Sequence, residues 1–157
     1  MTVQIRSVDP QGADALALLH EAAAEVRALY PELFAPDAPA PVNPPTPPRG
    51  VYLVAYRNGR PIAGGALRPL DEHSAEVRRM FVRRSARRGG IARAMLAALE
   101  EAALDLGYTR LRLETGDRQA SAMALYASEG FVRCAAFGEH VGDPFSVCFE
   151  KPIAADQ

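Results

Sequence analysis

The sequence predicts a mixed α/β fold whose central sheet is mostly antiparallel, with one parallel step in its middle. Three observations carry that expectation. Arg57-Asn58-Gly59-Arg60 sets Asn-Gly between two apolar runs, the strongest short signal for a β-hairpin. The extended stretch Glu76–Val82 passes through a glycine turn into a helical pattern and on to a second strand at Arg110–Glu114. Strands joined through a helix lie parallel, with a right-handed crossover. Phe131–Ala136 and Ser146–Glu150 are two last extended runs separated only by the loop Gly138–Pro144, so they are expected to be antiparallel.

Each element has its own signal. Val3–Arg6 is a short first strand. Asp14 is placed to cap the helix that follows, in which Leu16, Leu18, Leu19, Ala23, Val26 and Leu29 make the apolar face. Tyr30-Pro31 ends it, and Glu32-Leu33-Phe34 begins either a second short helix or a loop. Pro36–Pro48 holds seven of the 13 prolines, so it can be neither a regular helix nor a central strand. It reads as a semi-rigid connection or, preferred here, as a flap beside a substrate pocket. Val51–Tyr56 and Pro61–Leu70 flank the Asn-Gly turn, and Gly64-Gly65 marks a bulge or a close backbone approach. Asp71–Ser74 turns the chain into Glu76–Val82 and completes a three-stranded meander. Ile91, Met95, Leu96, Leu99, Ala103 and Leu106 recur at helical spacing up to a stop at Gly107. A last helix is expected from about Gln119 to Glu129, closed by Gly130.

The 157 residues suggest one domain, spanning 1–157. A hydrophobic content of 48% supports an ordinary core, and a formal net charge of −1 gives no global pull toward nucleic acid or a membrane surface. No run approaches the ~20 apolar residues of a membrane span, and no leader pattern opens the chain, so a cytoplasmic location is expected. Cys134 and Cys148 are read as small core residues rather than a disulfide framework. No Cys/His spacing suggests a metal, and His20, His73 and His140 are scattered.

Chemistry concentrates between Glu76 and Arg93. Seven arginines lie from Arg78 to Arg93 in a chain of near-zero net charge. Gly89-Gly90 stands just ahead of a helix whose first N–H groups have no intrahelical acceptor. Those amides and the helix dipole favour an anion, and glycine lets it come close. Arg87, Arg88 and Arg93 are expected to add mobile positive charge beside those amides. A phosphate or pyrophosphate site and a helix start beside a solvated basic loop fit these residues equally. Neither the Gly-x-x-x-x-Gly-Lys-Ser/Thr loop nor the Gly-x-Gly-x-x-Gly fingerprint occurs.

The string Arg87-x-x-Gly90-x-Ala92, directly after the strand ending at Val82, resembles the acetyl-CoA signature of the GNAT superfamily, the GCN5-related N-acetyltransferases. Gln119-x-x-Ala122-x-x-Leu125-Tyr126-x-x-x-Gly130-Phe131 resembles a second block of the same family, with glutamine where asparagine is usual. The resemblance covers residues 51–150. It implies the GNAT fold, a mostly antiparallel mixed sheet with one parallel pair and about four flanking helices, and acetyl-CoA as cosubstrate without a metal. It further implies that backbone groups of Phe81 and Val82 take the pantetheine arm. The amides across Arg87, Arg88, Gly89, Gly90, Ile91, Ala92 and Arg93 would take the pyrophosphate, with Gln119 in polar contact with the coenzyme. Tyr126 is the implied acid for the departing thiolate, and Glu76 the implied base or a substrate-positioning group paired with an arginine such as Arg78. A phenol is protonated at neutral pH, and an ammonium must lose a proton before it can attack, so both roles suit the residue types.

The function expected is transfer of an acetyl group to a primary amine, a free small amine or amino acid in preference to a peptide N-terminus or lysine, by direct attack in a ternary complex. Its pocket is expected among Glu32–Phe34, the proline-rich stretch, Glu76 and the Glu139–Asp143 loop, with Glu32, Glu139 and Asp143 as acids for a cationic amine. Family members often dimerise, which leaves a homodimer open. A non-catalytic acetyl-CoA sensor is the alternative. A nucleic-acid binder using the arginine cluster is disfavoured by the absence of interleaved aromatics.

Overall fold

The computed structural model describes residues 2–154. Its elements are β1 (Val3–Ser7), α1 (Ala13–Leu29), β2 (Val51–Arg57), β3 (Arg60–Pro69), β4 (Ser74–Val82), α2 (Ile91–Asp105), β5 (Arg110–Gly116), α3 (Ala120–Ser128), β6 (Val132–Cys134) and β7 (Ser146–Pro152). All seven strands join one sheet in the order β1-β2-β3-β4-β5-β7-β6, and only β4 and β5 pair in parallel. Three α-helices are present among the described residues. Glu32 lies in a single 3-10 turn, Pro31–Leu33, which takes the place of the short second helix.

Local chemistry accounts for most boundaries. Asn58 and Gly59 both take positive φ, 54° and 74°, the geometry of the two-residue turn that their side chains allow. Gly107 and Gly130, at φ 90° and 91°, end α2 and α3 in the left-handed conformation that glycine adopts cheaply. Asp14 does not cap α1. The cap position is Gly12, and the Asp14 carboxylate instead accepts a hydrogen bond from the Tyr56 hydroxyl at 2.6 Å. Asp14 sits two residues inside the boundary, where it ties the helix to β2.

The two faces of the sheet carry different cores. Ala15 and Leu18 of α1 pack on Tyr52, Val54, Tyr56 and Ala66. The larger cluster joins Met95, Leu96, Leu99 and Ala103 of α2 with Leu53, Leu67, Val77, Leu111 and Leu113, and reaches Tyr126, Phe131 and Phe149. Met95 and Leu99 are wholly buried, each contributing about 1.5–3 kcal/mol of transfer free energy. The Gly64-Gly65 pair serves both purposes expected of it. The β3–β4 register slips there, and a Cβ on Gly65 would lie 2.8 Å from Leu99 Cδ1 and 3.0 Å from Met80 Sδ. Glycine thus lets α2 settle against the sheet beside the parallel pair. No helix among the described residues is long and apolar enough to cross a membrane.

Candidate active site

The parallel pairing of β4 and β5 ends at Val77 opposite Leu113. Beyond that point β5 stays with β7 as far as Gly116, while β4 stays with β3 as far as Val82. The two strands part, and a cavity of about 600 Å³ opens between them. On β4 the register places Gly64 opposite Phe81 and Ala66 opposite Arg78, so Gly65 alone faces Arg79 and Met80. Arg79 absorbs this bulge with a φ of 59°. A bulge re-aims side chains beside a site. Here Arg78, Arg79, Met80 and Phe81 all reach the cavity wall, and Met80 also packs on the core.

Past Val82 the chain leads into the start of α2. Gly90 is its cap residue at φ 78°, with no side-chain hydrogen bond to the first turn and no acidic residue in it. Nothing stands within 4 Å of where a Gly90 Cβ would be, and residues 87–90 are exposed. The amides of Ile91, Ala92 and Arg93 therefore begin the helix uncapped, as an anion site requires. The arginines differ from expectation. Arg87 is tethered rather than mobile: its Nε donates to the Val82 carbonyl at 2.8 Å and its Nη2 to Glu25 at 2.8 Å. Arg93 has only a loose ion pair with Glu129 at 3.7 Å, and Arg88 is exposed with φ 69°. Charge from Arg88 and Arg93 remains available, and Arg87 fixes the end of β4.

Glu76 lines the cavity and is 2% exposed. Arg68 Nε donates to its Oε1 at 2.9 Å, His140 Nε2 lies 2.8 Å from its Oε2, and Arg78 Nη1 is 3.5 Å from Oε2. Pairing with Arg78 was one of the two readings of this residue, and it is present. Sequence reasoning missed His140, the third of the scattered histidines. A 3-10 turn at Gly138–His140 carries it to the cavity wall, its ring edge-on to Phe137 and its Nδ1 3.8 Å from Glu114 Oε2. No local spacing could have revealed it, because its partner lies 64 residues away. Ligand-type atoms of Glu76, Glu139 and His140 fall within 4.8 Å of one another. Both carboxylates are already matched by the guanidinium groups of Arg68 and Arg78, which hold the positive charge a cation would bring.

Tyr126 is buried on the inner side of α3, tilted against Phe131 and Phe149 with ring centroids 5.8 and 6.1 Å away. It lines the cavity, and no hydrogen bond within the described residues engages its hydroxyl. Burial, reinforced by the nearby Glu114 charge, pushes its pKa up to about 12. Gln119, the cap residue of α3, lines the same cavity with its side-chain amide uncommitted. Phe34, Ala38, Pro39 and Pro41 complete the wall, so the proline-rich segment does flank the pocket. Arg27 secures it by donating to the carbonyls of Ala38 and Pro39.

The three acids proposed to meet a cationic amine behave otherwise. Glu32 is clamped bidentately by Arg118, and Asp143 accepts the Phe145 amide at 2.9 Å; neither lines the cavity. Glu139 does, but hydrogen bonds from Arg68 and then Arg78 hold its carboxyl at about 2, well below the usual range.

A splayed parallel pair, an uncapped helix start after β4 and a buried tyrosine on the cavity wall are the features that the resemblance to the acetyltransferases calls for. The sequence profile of the Acetyltransferase (GNAT) family matches residues 18–131, and the chain belongs to that family. It is accordingly an acetyl-CoA-dependent acyltransferase. An "IAA acetyltransferase" of Azospirillum brasilense is 42% identical over 104 residues, covering 65% of this chain and 67% of the relative. An N-acetyltransferase of Bacillus subtilis (strain 168), YsnE, itself uncharacterized, is 39% identical over 98 residues, covering 60% of this chain and 65% of its own. The matched segment thus spans about two thirds of each relative. Among solved structures, a provisionally assigned acyl-CoA N-acyltransferase from Klebsiella pneumoniae superposes with a TM-score of 0.79 at 29% identity, covering 97% of this chain and 98% of its own. A GNAT family acetyltransferase from Elizabethkingia anophelis with acetyl-CoA bound gives 0.68 at 16% identity, covering 96% and 97%, and shares the fold.

Proposed function

We propose that this protein, acting as one domain, transfers the acetyl group of acetyl-CoA to the primary amine of a small molecule, with donor and acceptor bound together. The observation that carries the reading is the single cavity wall shared by Glu76, Gln119, Tyr126 and Phe81 at the parting of β4 and β5. Ile91, Ala92 and Arg93 amides hold the diphosphate, with Arg88 and Arg93 beside them. The pantetheine arm lies along the unpaired edge of β4 at Phe81 and Val82.

The acceptor enters as an ammonium and gives its proton to the Glu76–His140 pair. Its nitrogen then forms a bond to the thioester carbonyl carbon. An N–H near Val82 stabilises the oxyanion. The C–S bond breaks, the thiolate takes the Tyr126 proton, and the second proton shed by the nitrogen as it becomes the amide restores the phenol. Burial suits Tyr126 to this task, because it reaches the reaction still protonated at any working pH. Much of the rate comes from holding the two reactants in register.

The test is thiol release from acetyl-CoA across a panel of small amines, with mass detection of the acetylated product. Release dependent on an amine supports transfer. Tight acetyl-CoA binding with no release for any amine would instead favour the sensor reading.

A further inference from the structure

The charges lining the cavity do not balance locally, and the imbalance has a direction. Arg68 and Arg78 share Glu76 and Glu139, two guanidinium groups against two carboxylates. Arg79, next along β4, has only neutral partners. Its Nε donates to Asn43 Oδ1 at 2.9 Å and its Nη2 to the Val42 carbonyl at 3.2 Å. Arg27 of α1 also meets only neutral acceptors, the Ala38 carbonyl at 3.4 Å and the Pro39 carbonyl at 2.8 Å. Neither has a carboxylate within ion-pair distance among the described residues, and both line the cavity beside the proline-rich segment. Burial, then the neighbouring Arg78 charge, pulls the Arg79 guanidinium below its ordinary range. A partly desolvated cation without a counter-charge is costly, and a guanidinium keeps several N–H donors when two are used.

The opposite wall has the reverse sign. Glu114 lines the cavity on β5, accepts the Ser146 hydroxyl at 2.5 Å, and has no guanidinium partner among the described residues. Its nearest cationic candidate is His140, at 3.8 Å. Glu114 stands beside Tyr126 and the Glu76–His140 pair, at the end where the amine must react.

We propose that the acceptor is an amino carboxylate, with its ammonium directed to the Glu114 wall and its carboxylate held by Arg79, assisted by Arg27. The arrangement supplies the counter-charge that each wall lacks. A guanidinium fork matches a carboxylate in two parallel hydrogen bonds, which fixes the acceptor's orientation as well as its charge. The bulge that gives Arg79 its positive φ is what brings a cation onto this wall, next to Arg78 rather than across the strand from it. This inference rests on the acetyl-transfer reading and narrows it to one class of acceptor.

The experiment compares each of a set of amino acids with its decarboxylated amine, phenylalanine with phenethylamine among them, by thiol release from acetyl-CoA. For the accepted side chain, kcat/KM is expected to be about ten- to a hundredfold higher for the amino acid. Arg79→Gln should raise KM for the amino acid by a similar factor and leave the decarboxylated amine nearly unchanged, while Arg79→Lys restores part of the loss. Arg79 also ties down the proline-rich segment, so Asn43→Ala serves as the control. It loosens the same contact without removing charge and should affect both members of a pair alike. Turnover of the decarboxylated amines alone, turnover of neither member of any pair, or an Arg79→Gln effect equal on both overturns the proposal. Thiol release with other amines of the wider panel separates this outcome from failure of the underlying reading, in which no amine of any kind gives release.

Discussion

Gly90 takes φ 78° with open space where a Cβ would stand, so its demand is conformational and not steric. Gly90→Ala should cost about 1–2 kcal/mol for the left-handed backbone. It should also weaken acetyl-CoA binding, since relaxing that φ turns the first amides of α2. Urea unfolding and calorimetry read the two effects separately, and an alanine variant with native coenzyme affinity would remove Gly90 from the site. Tyr126 makes a second single-residue claim. Tyr126→Phe keeps the packing on Phe131 and Phe149 but removes the proton donor, so kcat should fall about 10²–10⁴-fold with the coenzyme affinity intact. With its pKa at about 12, Tyr126 cannot supply an alkaline limb to the pH–rate profile near its ordinary 10.0. Gln119 and Tyr126 are legible as parts of one motif, and Glu76 only as a position that matches the family's proton acceptor. His140 is not, because what makes it part of the site is a contact with Glu76 formed only when the chain folds.

At the scale of elements, a close tolerance lies between β3 and α2. Gly65→Ala would press a methyl group against Leu99 and Met80, and overpacking of that kind costs about 1–3 kcal/mol. A denaturation midpoint equal to that of the parent chain would contradict the packing described. The Gly138–His140 turn depends on charge. Glu139 is held by Arg68 and Arg78 with its carboxyl lowered from 4.5 to about 2. Its contribution is therefore complete above about 4.5 and disappears as pH falls through about 2. Because this carboxylate is 57% exposed, salt should weaken the contact. Glu139→Gln should flatten that part of the acid unfolding curve; an unchanged curve would show that the pairing adds nothing. The strands, the hairpin and the crossover helix were legible from periodicity, Asn58-Gly59 and the two glycine stops. The capping role given to Asp14 was not borne out, since a residue type suited to capping served a long-range bond to Tyr56 instead. The acids Glu32 and Asp143 were misjudged for the same reason: their side chains answer to Arg118 and the Phe145 amide, partners that composition does not reveal.

For the molecule as a whole, all five tyrosines have pKa values raised above 10.0, in each case chiefly by burial. An unfolded chain would ionise near 10, so the folded form binds more protons above that pH, and stability is lost as pH rises from 10 through about 12. Spectrophotometric titration should therefore show phenolate absorbance emerging late and together with unfolding. A full phenolate signal near 10 with the fold intact would refute the burial of these rings. The larger consequence of the fold is that β4 parts from β5 beyond Val77 and runs on toward an uncapped helix start, while a buried phenol lines the opening. The central claim is that this opening holds a thioester carrier by its diphosphate. Calorimetric titration with acetyl-CoA beside acetyl-pantetheine, which lacks the diphosphate, tests it most directly. The account predicts saturable heat with acetyl-CoA and an affinity at least about tenfold weaker for acetyl-pantetheine, with the difference shrinking as salt is added. Equal affinity for the two, or no heat with acetyl-CoA, would contradict it.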